Sequence, residues 1–292
     1  MQDITFIILT YNEENNITDC INSIKSIAKR IVVVDSYSTD NTVKIVKEMG
    51  AELYQNKWIN YSKQYQFGID ASKPTTKWIF RLDADERLTP EAVQELNELL
   101  AAHDSDDVNG IIVRFEVSFL GRKLKHGGIY PFRKLLIYRN GFGQIEDKEM
   151  DEHILLSSGK TICMKSDCQH LDIKDIYSWI DKHNKYSNRE VIDCVHHSSA
   201  NTKNMDRIAS RRAKQKYGFY YKLPLFLRAK LYYLYRLVIK GAWLDGREGK
   251  IFAFLQAYWY RYLVDAKLFE YYKKRVASQI NYMGLITLVE EL

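Results

Sequence analysis

Residues 77–86 read Lys77-Trp78-Ile79-Phe80-Arg81-Leu82-Asp83-Ala84-Asp85-Glu86, an apolar strand signal that runs straight into a cluster of carboxylates. Three similar units precede it. Ile4 to Leu9 is a nearly continuous apolar run followed by the polar turn Thr10-Tyr11-Asn12-Glu13-Glu14-Asn15, and Ile31 to Val34 is a second that ends at Asp35. Ala51 to Tyr54 is a third. Between them lie helix signals: Ile17, Cys20, Ile21, Ile24 and Ile27, then Val43, Val46 and Met49 behind Asp40 as N-cap, then Ser62 to Ala71. A fourth helix is expected from Pro90, in its first turn, through Leu100. Strands apolar throughout are buried on both faces, and their alternation with helices predicts right-handed crossovers and a mostly parallel, doubly wound α/β sheet. Ligands of such sheets bind beyond the carboxyl ends of the strands.

The rest of the chain is consistent with a large globular protein. It has 292 residues, 46% hydrophobic and 27% charged, with only 4 prolines, which excludes a peptide hormone, a disulfide miniprotein and a disordered chain. After Gly110, Ile111–Leu120 and Lys134–Arg139 predict longer strands, and residues 174–197 a helix. Cys20, Cys163, Cys168 and Cys194 form no C-x-x-C pair and read as reduced thiols. Cys163, Cys168 and His170 lack a fourth ligand at a compatible spacing, which disfavours zinc. No apolar run spans a bilayer, and the N-terminus lacks the basic flank and cleavage site of a signal peptide, so a cytoplasmic location is expected.

Two acidic groups fall where the sheet rule puts a ligand: Asp35 after the second strand and Asp83/Asp85 after the fourth. Two carboxylates one residue apart at the mouth of a buried strand suit a hard divalent cation that keeps several waters and bridges phosphate oxygens. Neither G-x-G-x-x-G nor G-x-x-x-x-G-K-[ST] is present, so a dinucleotide enzyme and a P-loop phosphotransferase are unsupported.

The ordered set Ile7-Ile8-Leu9-Thr10-Tyr11-Asn12-Glu13, Val32-Val33-Val34-Asp35-Ser36-Tyr37-Ser38-Thr39-Asp40-Asn41-Thr42 and Leu82-Asp83-Ala84-Asp85-Glu86 resembles the family 2 glycosyltransferases of the GT-A fold. It looks most like the bacterial branch that holds lipopolysaccharide-core beta-1,4-glucosyltransferases. The resemblance is strong over residues 3 to about 120 and recognisable to about 195. It implies a GT-A, Rossmann-like sheet with flanking helices. It further implies that Thr10, Tyr11 and Glu13 line a nucleotide pocket, that Asp35 meets the base, that Asp83 contacts ribose or metal, and that Asp85 ligates Mg or Mn on the diphosphate. Where many relatives carry a second acidic residue after Asp35, this chain has Ser36. A histidine beyond the sheet completes the metal site in some GT-A enzymes, which makes His170 a candidate ligand. The acidic loop Met150-Asp151-Glu152-His153 stands at a separation similar to the family's base loop, so Asp151 or Glu152 is the expected general base. On the 174–197 helix, Lys182 and Arg189 share a face that could hold phosphate or acceptor, or simply be solvated, with His183 beside it.

Residues 211–275 carry 16 Lys and Arg against 4 Asp and Glu, so the remainder of a chain of net charge +6 is acidic. The basic segment is also rich in Tyr, Phe, Trp and Leu, a composition of interfacial helices. The expected organisation is therefore a GT-A catalytic domain over 1–215 and a helical, membrane-associating region over 216–292. The expected function is inverting, metal-dependent transfer of a hexose from a nucleotide sugar, UDP-linked, to a glycan or lipid-linked saccharide in bacterial envelope polysaccharide assembly. It would take place at the inner face of the cell membrane, on an anionic surface. Nucleic acid is not an expected partner, because no nucleic-acid motif is present and the catalytic half is acidic. A non-catalytic GT-A-like scaffold subunit of a synthase complex is the rival reading; a nucleotidyltransferase is disfavoured because Thr10-Tyr11-Asn12-Glu13 stands where its Gly-rich, Arg-containing loop belongs.

Overall fold

The structure, a computed structural model, describes residues 1–148, 152–171, 175–196 and 203–290. The first half alternates as the apolar runs require: β1 (Ile4–Thr10), α1 (Ile17–Ile24), β2 (Arg30–Asp35), α2 (Thr42–Glu48), β3 (Glu52–Gln55), α3 (Tyr61–Ser72) and β4 (Trp78–Asp83). A two-residue strand, β5 (Glu86–Arg87), leads to α4 (Pro90–Ala102), whose Thr89 side chain accepts from the Ala92 N–H ahead of the first-turn proline. Then come β6 (Val108–Phe119), β7 (Arg122–Leu124), β8 (Phe132–Arg139), β9 (Gly143–Ile145), β10 (Ile154–Leu156) and β11 (Lys160–His170). The helical part comprises α5 (Ile176–His196), α6 (Arg207–Gly218), α7 (Leu227–Leu234), α8 (Gly246–Ala253) and α9 (Tyr260–Glu290).

The main sheet runs in the order β3-β2-β1-β4-β8-β6-β11-β5, with β7 appended to β6. β3, β2, β1 and β4 are parallel; β8 is inserted antiparallel between β4 and β6, and β11 is parallel to β6. Every residue of β1 is buried, as a strand covered on both faces demands. One apolar layer, including Phe6, Ile8, Phe80, Ile21 and Leu96, packs α1 and α4 on one side of the sheet. Ile7, Val34, Ile79 and Tyr65 pack α3 on the other. α3 lies so close that a Cβ on Gly68 would stand 2.7 Å from Val34 Cγ2, which explains a glycine inside this helix despite its cost in helix propensity.

One local expectation differs from what is seen, and one strand is unannounced by the sequence. Asn41, not Asp40, stands at the N-cap of α2, although Asp40 still performs the capping bond by accepting from the Thr42 N–H at 3.0 Å. β11 has no counterpart in the sequence reading, because Lys-Thr-Ile-Cys-Met-Lys-Ser-Asp-Cys-Gln-His is too polar to announce a strand.

The expected division at 215/216 falls inside α6, and the helices beyond it are bolted to α5. The bolt is Glu190, buried on α5, which accepts from Tyr221 and Tyr260 hydroxyls and from Arg261 Nη1, each at 2.5 Å, with Lys216 Nζ at 3.1 Å. Burial pushes this carboxyl up, but the Arg261 and Lys216 charges overcome it and hold it well below the usual range. Replacing Glu190 by Ala removes the buried carboxylate that partly buried Arg261 and Lys216 share. The expected cost is about 3–5 kcal/mol, read as a fall in the denaturation midpoint, and an unchanged midpoint would refute the assignment.

Candidate functional site

Parallel register assembles the site. Thr10 is the partner of Asp35 across β1 and β2, and Leu9 is the partner of Asp83 across β1 and β4, so three strand ends bring Thr10, Asp35 and Asp83 to one rim. The chain reverses its winding here: β2 and β3 lie on one side of β1 and β4 on the other, which makes this the switch-point crevice of the sheet. From the far edge β11 delivers His170 opposite Glu86 of β5, and His170 Nε2 comes to 3.2 Å from Asp85 Oδ2.

The turns after β1 and β2 are latched to each other. The Asn12 N–H donates to Ser38 Oγ at 2.8 Å and the Thr39 N–H returns to Asn12 Oδ1 at 2.8 Å. The Glu13 N–H donates to Thr42 Oγ1, the Glu14 N–H to Asp40, and Asn41 to the Glu14 carboxylate. The co-occurrence of Tyr-Asn-Glu-Glu and Ser-Thr-Asp-Asn-Thr thus has a mechanical cause, since each motif satisfies the backbone of the other. Asn12 and Tyr37 both take positive φ, 53° and 60°, and the Tyr11 and Tyr37 rings stand exposed beside the rim. Asn tolerates that conformation; a tyrosine there is strained.

The predicted residues are differently engaged. Among the described residues the hydroxyl of buried Thr10 has no hydrogen-bond partner. Asp35 is fully buried, accepting from the Ser38 N–H at 2.9 Å, from Ser38 Oγ and from Gln55 Nε2 at 3.0 Å, so it shapes the floor of the crevice. Ser36 Oγ, in the place of a second acid, accepts from Gln64 Nε2 at 2.9 Å. Glu13 accepts from Asn16. Among the described residues Asp83 leaves a buried Oδ1 without a hydrogen bond, with Arg81 Nη2 at 3.8 Å from it.

Burial pushes the Asp85 carboxyl up, but His170 and the charge of Lys182 outweigh it and hold the group below the ordinary value. His170 moves the other way: burial lowers it, while the bond to Asp85 and the nearby Glu86 charge raise it to about 9. Glu86, buried beside Asp83 and Asp85, is pushed up to about 8 by burial and then by the Asp83 charge. A titration of the metal-free protein followed by NMR should give His170 an imidazole midpoint near 9, and one near the ordinary 6.5 would break the Asp85 pairing.

Glu152 is not free at the rim. It is buried, accepting from Arg81 Nη1 at 2.6 Å and Lys134 Nζ at 3.3 Å; despite burial, Lys134 and Arg81 bring its carboxyl down to about 2. Asp151 lies outside the described residues. On α5, Lys182 acts on Asp85, whereas His183 stacks on Trp179 with centroids 3.5 Å apart and donates from Nδ1 to its carbonyl. Arg189 lies 5.8 Å from the Trp58 and Tyr186 rings, and Tyr186 meets Tyr61 hydroxyl to hydroxyl at 3.1 Å. The sequence alone assigns no role to Arg81, Glu86, Tyr37 or Tyr61. The one available signal was Arg81, a charge in the middle of an apolar strand.

A family model described as glycosyl transferase family 2 matches residues 5–160, which contain both latched turns and the Asp83–Glu86 cluster. The chain belongs to glycosyl transferase family 2. Among curated relatives, the lipopolysaccharide core biosynthesis glycosyltransferase LpsC of Rhizobium meliloti is 28% identical over 260 residues, 86% of this chain and 88% of that one. An uncharacterized glycosyltransferase of Rickettsia typhi is 28% identical over 204 residues, 67% of this chain and 69% of the relative. Among solved structures, glucosyl-3-phosphoglycerate synthase from Mycobacterium tuberculosis overlays with a TM-score of 0.32 and 18% identity, covering 37% of this chain and 42% of that one, too slight a likeness to build on. This family 2 glycosyltransferase has a sugar-transfer role, which sets aside the scaffold and nucleotidyltransferase readings as descriptions of its class.

The rim of the glycosyltransferase suits a divalent cation. Asp83 offers a buried Oδ1 that takes no hydrogen bond among the described residues, with Arg81 at 3.8 Å, Asp85 offers a half-buried carboxylate, and His170 offers an imidazole once its proton is displaced, donors that match Mg or Mn. Among the described residues no three His, Cys, Asp or Glu side chains converge into a complete ligand set. An ion would draw the rest of its shell from substrate oxygens and water, as Mg commonly does.

Proposed function

We propose that the protein transfers a hexose from a UDP-sugar to a saccharide acceptor with inversion, the cation being held by Asp83, Asp85 and His170. The observation that carries the reading is the convergence of the β1, β2 and β4 ends with His170 of β11 at the switch point. Thr10, Tyr11, Glu13, Asp35 and Asp83 border the nucleotide, with the orphaned Thr10 hydroxyl available to it. A bound divalent ion supplies neutralisation of charge on the leaving diphosphate. The acceptor hydroxyl attacks the anomeric carbon from the opposite face. Its proton passes to Asp151 as the new C–O bond forms and the bond from the anomeric carbon to the diphosphate oxygen breaks. Glu152, held ionised by Arg81 and Lys134, is a poor proton acceptor and serves instead to fix the strand behind the site.

The acceptor proposed is a glycan or lipid-linked saccharide of the bacterial envelope, a reading supported by the name and 28% identity of LpsC. Incubation with a panel of UDP-sugars and Mn or Mg should give slow UDP release with one or a few donors. Absence of UDP release and of any metal-dependent UDP binding would overturn the reading.

A further inference from the structure

The α7 segment is built inside out. Its core-facing side chains include Arg228 and Arg236, both buried, Arg228 bonded to the Asp265 carboxylate and Arg236 donating to Tyr232 Oη at 2.9 Å. Its outward stripe is apolar: Leu227, Leu231, Leu234 and Val238 recur at three- and four-residue intervals and are all exposed. The stripe continues through a π-helical turn (Tyr235–Ile239) and a 3-10 turn (Ala242–Asp245), where Ile239 is 73% exposed, Val238 57%, Trp243 52% and Leu244 49%. A soluble helix places its leucines inward and its arginines outward; the reverse arrangement needs an apolar phase outside.

Charge says which phase. Lys222, Lys230, Lys240, Arg247 and Lys250 are exposed around this stripe. Between residues 219 and 264 the acidic residues are Asp245, buried against His126, and Glu248, half-buried beside Arg122; none is exposed. An apolar stripe with a tryptophan, rimmed by cations and clear of exposed carboxylates, complements an anionic lipid leaflet. No helix among the described residues is long and apolar enough to cross a membrane.

We propose that the surface formed by residues 227–254 docks on an anionic bilayer, inserting Val238, Ile239, Trp243 and Leu244 into the headgroup boundary. The docked unit is fixed to the catalytic sheet: Phe252 of α8 packs with Phe119, Leu124 and Trp179, and Val117, packed against that cluster, is the register partner of His170. A lipid-linked acceptor would thereby be met by an enzyme already on its surface.

The test is co-sedimentation of the full chain with vesicles of phosphatidylcholine alone or with phosphatidylglycerol. Binding is expected to the anionic vesicles and to fall with salt, since each basic side chain near such a surface contributes about fivefold in affinity. Ile239→Glu with Trp243→Glu should lower binding at least about tenfold with an unchanged far-UV spectrum, and Lys230→Glu with Lys240→Glu should do the same. As a second readout, brominated lipid should quench wild-type tryptophan fluorescence more than that of Trp243→Phe. The Asp85→Ala variant should bind vesicles like wild type, so loss of docking and loss of the proposed reaction are separable. No binding to anionic vesicles, equal binding by the Glu variants, or a stable self-association that covers these same side chains would each overturn the proposal.

Discussion

Asp85→Ala should reduce sugar transfer by about 10³-fold or more, the range spanned by several kcal/mol of leaving-group charge stabilisation. Asp85 is the carboxylate that the β4 end, the Asp83–Glu86 turn and His170 of β11 jointly position. Nucleotide affinity in Mn or Mg should fall to the level of the metal-free protein. Folding should change little, because the Asp85 to His170 contact is half-exposed and its removal also relieves the crowding of Asp83, Asp85 and Glu86. A second readout distinguishes loss of a metal group from general damage: without Asp85, the His170 imidazole should titrate lower than in wild type, because the hydrogen bond and charge that raise it are gone. Wild-type turnover in the variant, or retained metal-dependent UDP binding, would sink the assignment.

The parallel half of the fold is legible because its strands are buried on both faces, so that Ile4 to Leu9, broken only by Thr5, and Ile31 to Val34 appear as apolar runs. β11 was not, because its burial is irregular and its register shifts between Cys163 and Asp167, leaving no period to read. Asp35, Asp83 and Asp85 could be placed at a rim because parallel strands end on one side of a sheet. What their side chains do there could not be read, since the partners of Asp35 arrive from Ser38 and Gln55 and that of Asp85 from a strand 85 residues away in sequence. The same distance concealed the role of Glu152. Arg81 interrupts Trp78-Ile79-Phe80-Arg81-Leu82, and a buried guanidinium demands a counter-charge, yet nothing local names the carboxylate 71 residues later that provides it. The inverted polarity of α7 was equally hidden, because composition reports how many leucines and arginines a helix holds and not which of them face the core.

Asp151 and Glu152 should respond to amide substitution in opposite currencies. Asp151→Asn keeps size and hydrogen-bonding capacity but removes proton acceptance, so turnover should fall by roughly 10² to 10⁴ with donor affinity and melting temperature nearly unchanged. Glu152→Gln leaves buried Arg81 facing a neutral amide, with Asp83 at 3.8 Å and Lys134 nearby, and should cost about 3–5 kcal/mol of stability. Any loss of turnover in Glu152→Gln should follow the fraction unfolded and recover on cooling. The pH dependence carries the same distinction. A carboxyl held at about 2 against an unfolded value near 4.5 contributes on the order of 3 kcal/mol, fully present above pH 5 and lost as pH falls toward 2. Wild type should therefore lose stability across that acid window, and Glu152→Gln should lose less of it there. The turnover profile should instead show an acid limb set by the base, altered in Asp151→Asn and intact in folded Glu152→Gln. Near-normal turnover in Asp151→Asn would move the base elsewhere, and a large loss in folded, fully stable Glu152→Gln would restore that role to Glu152.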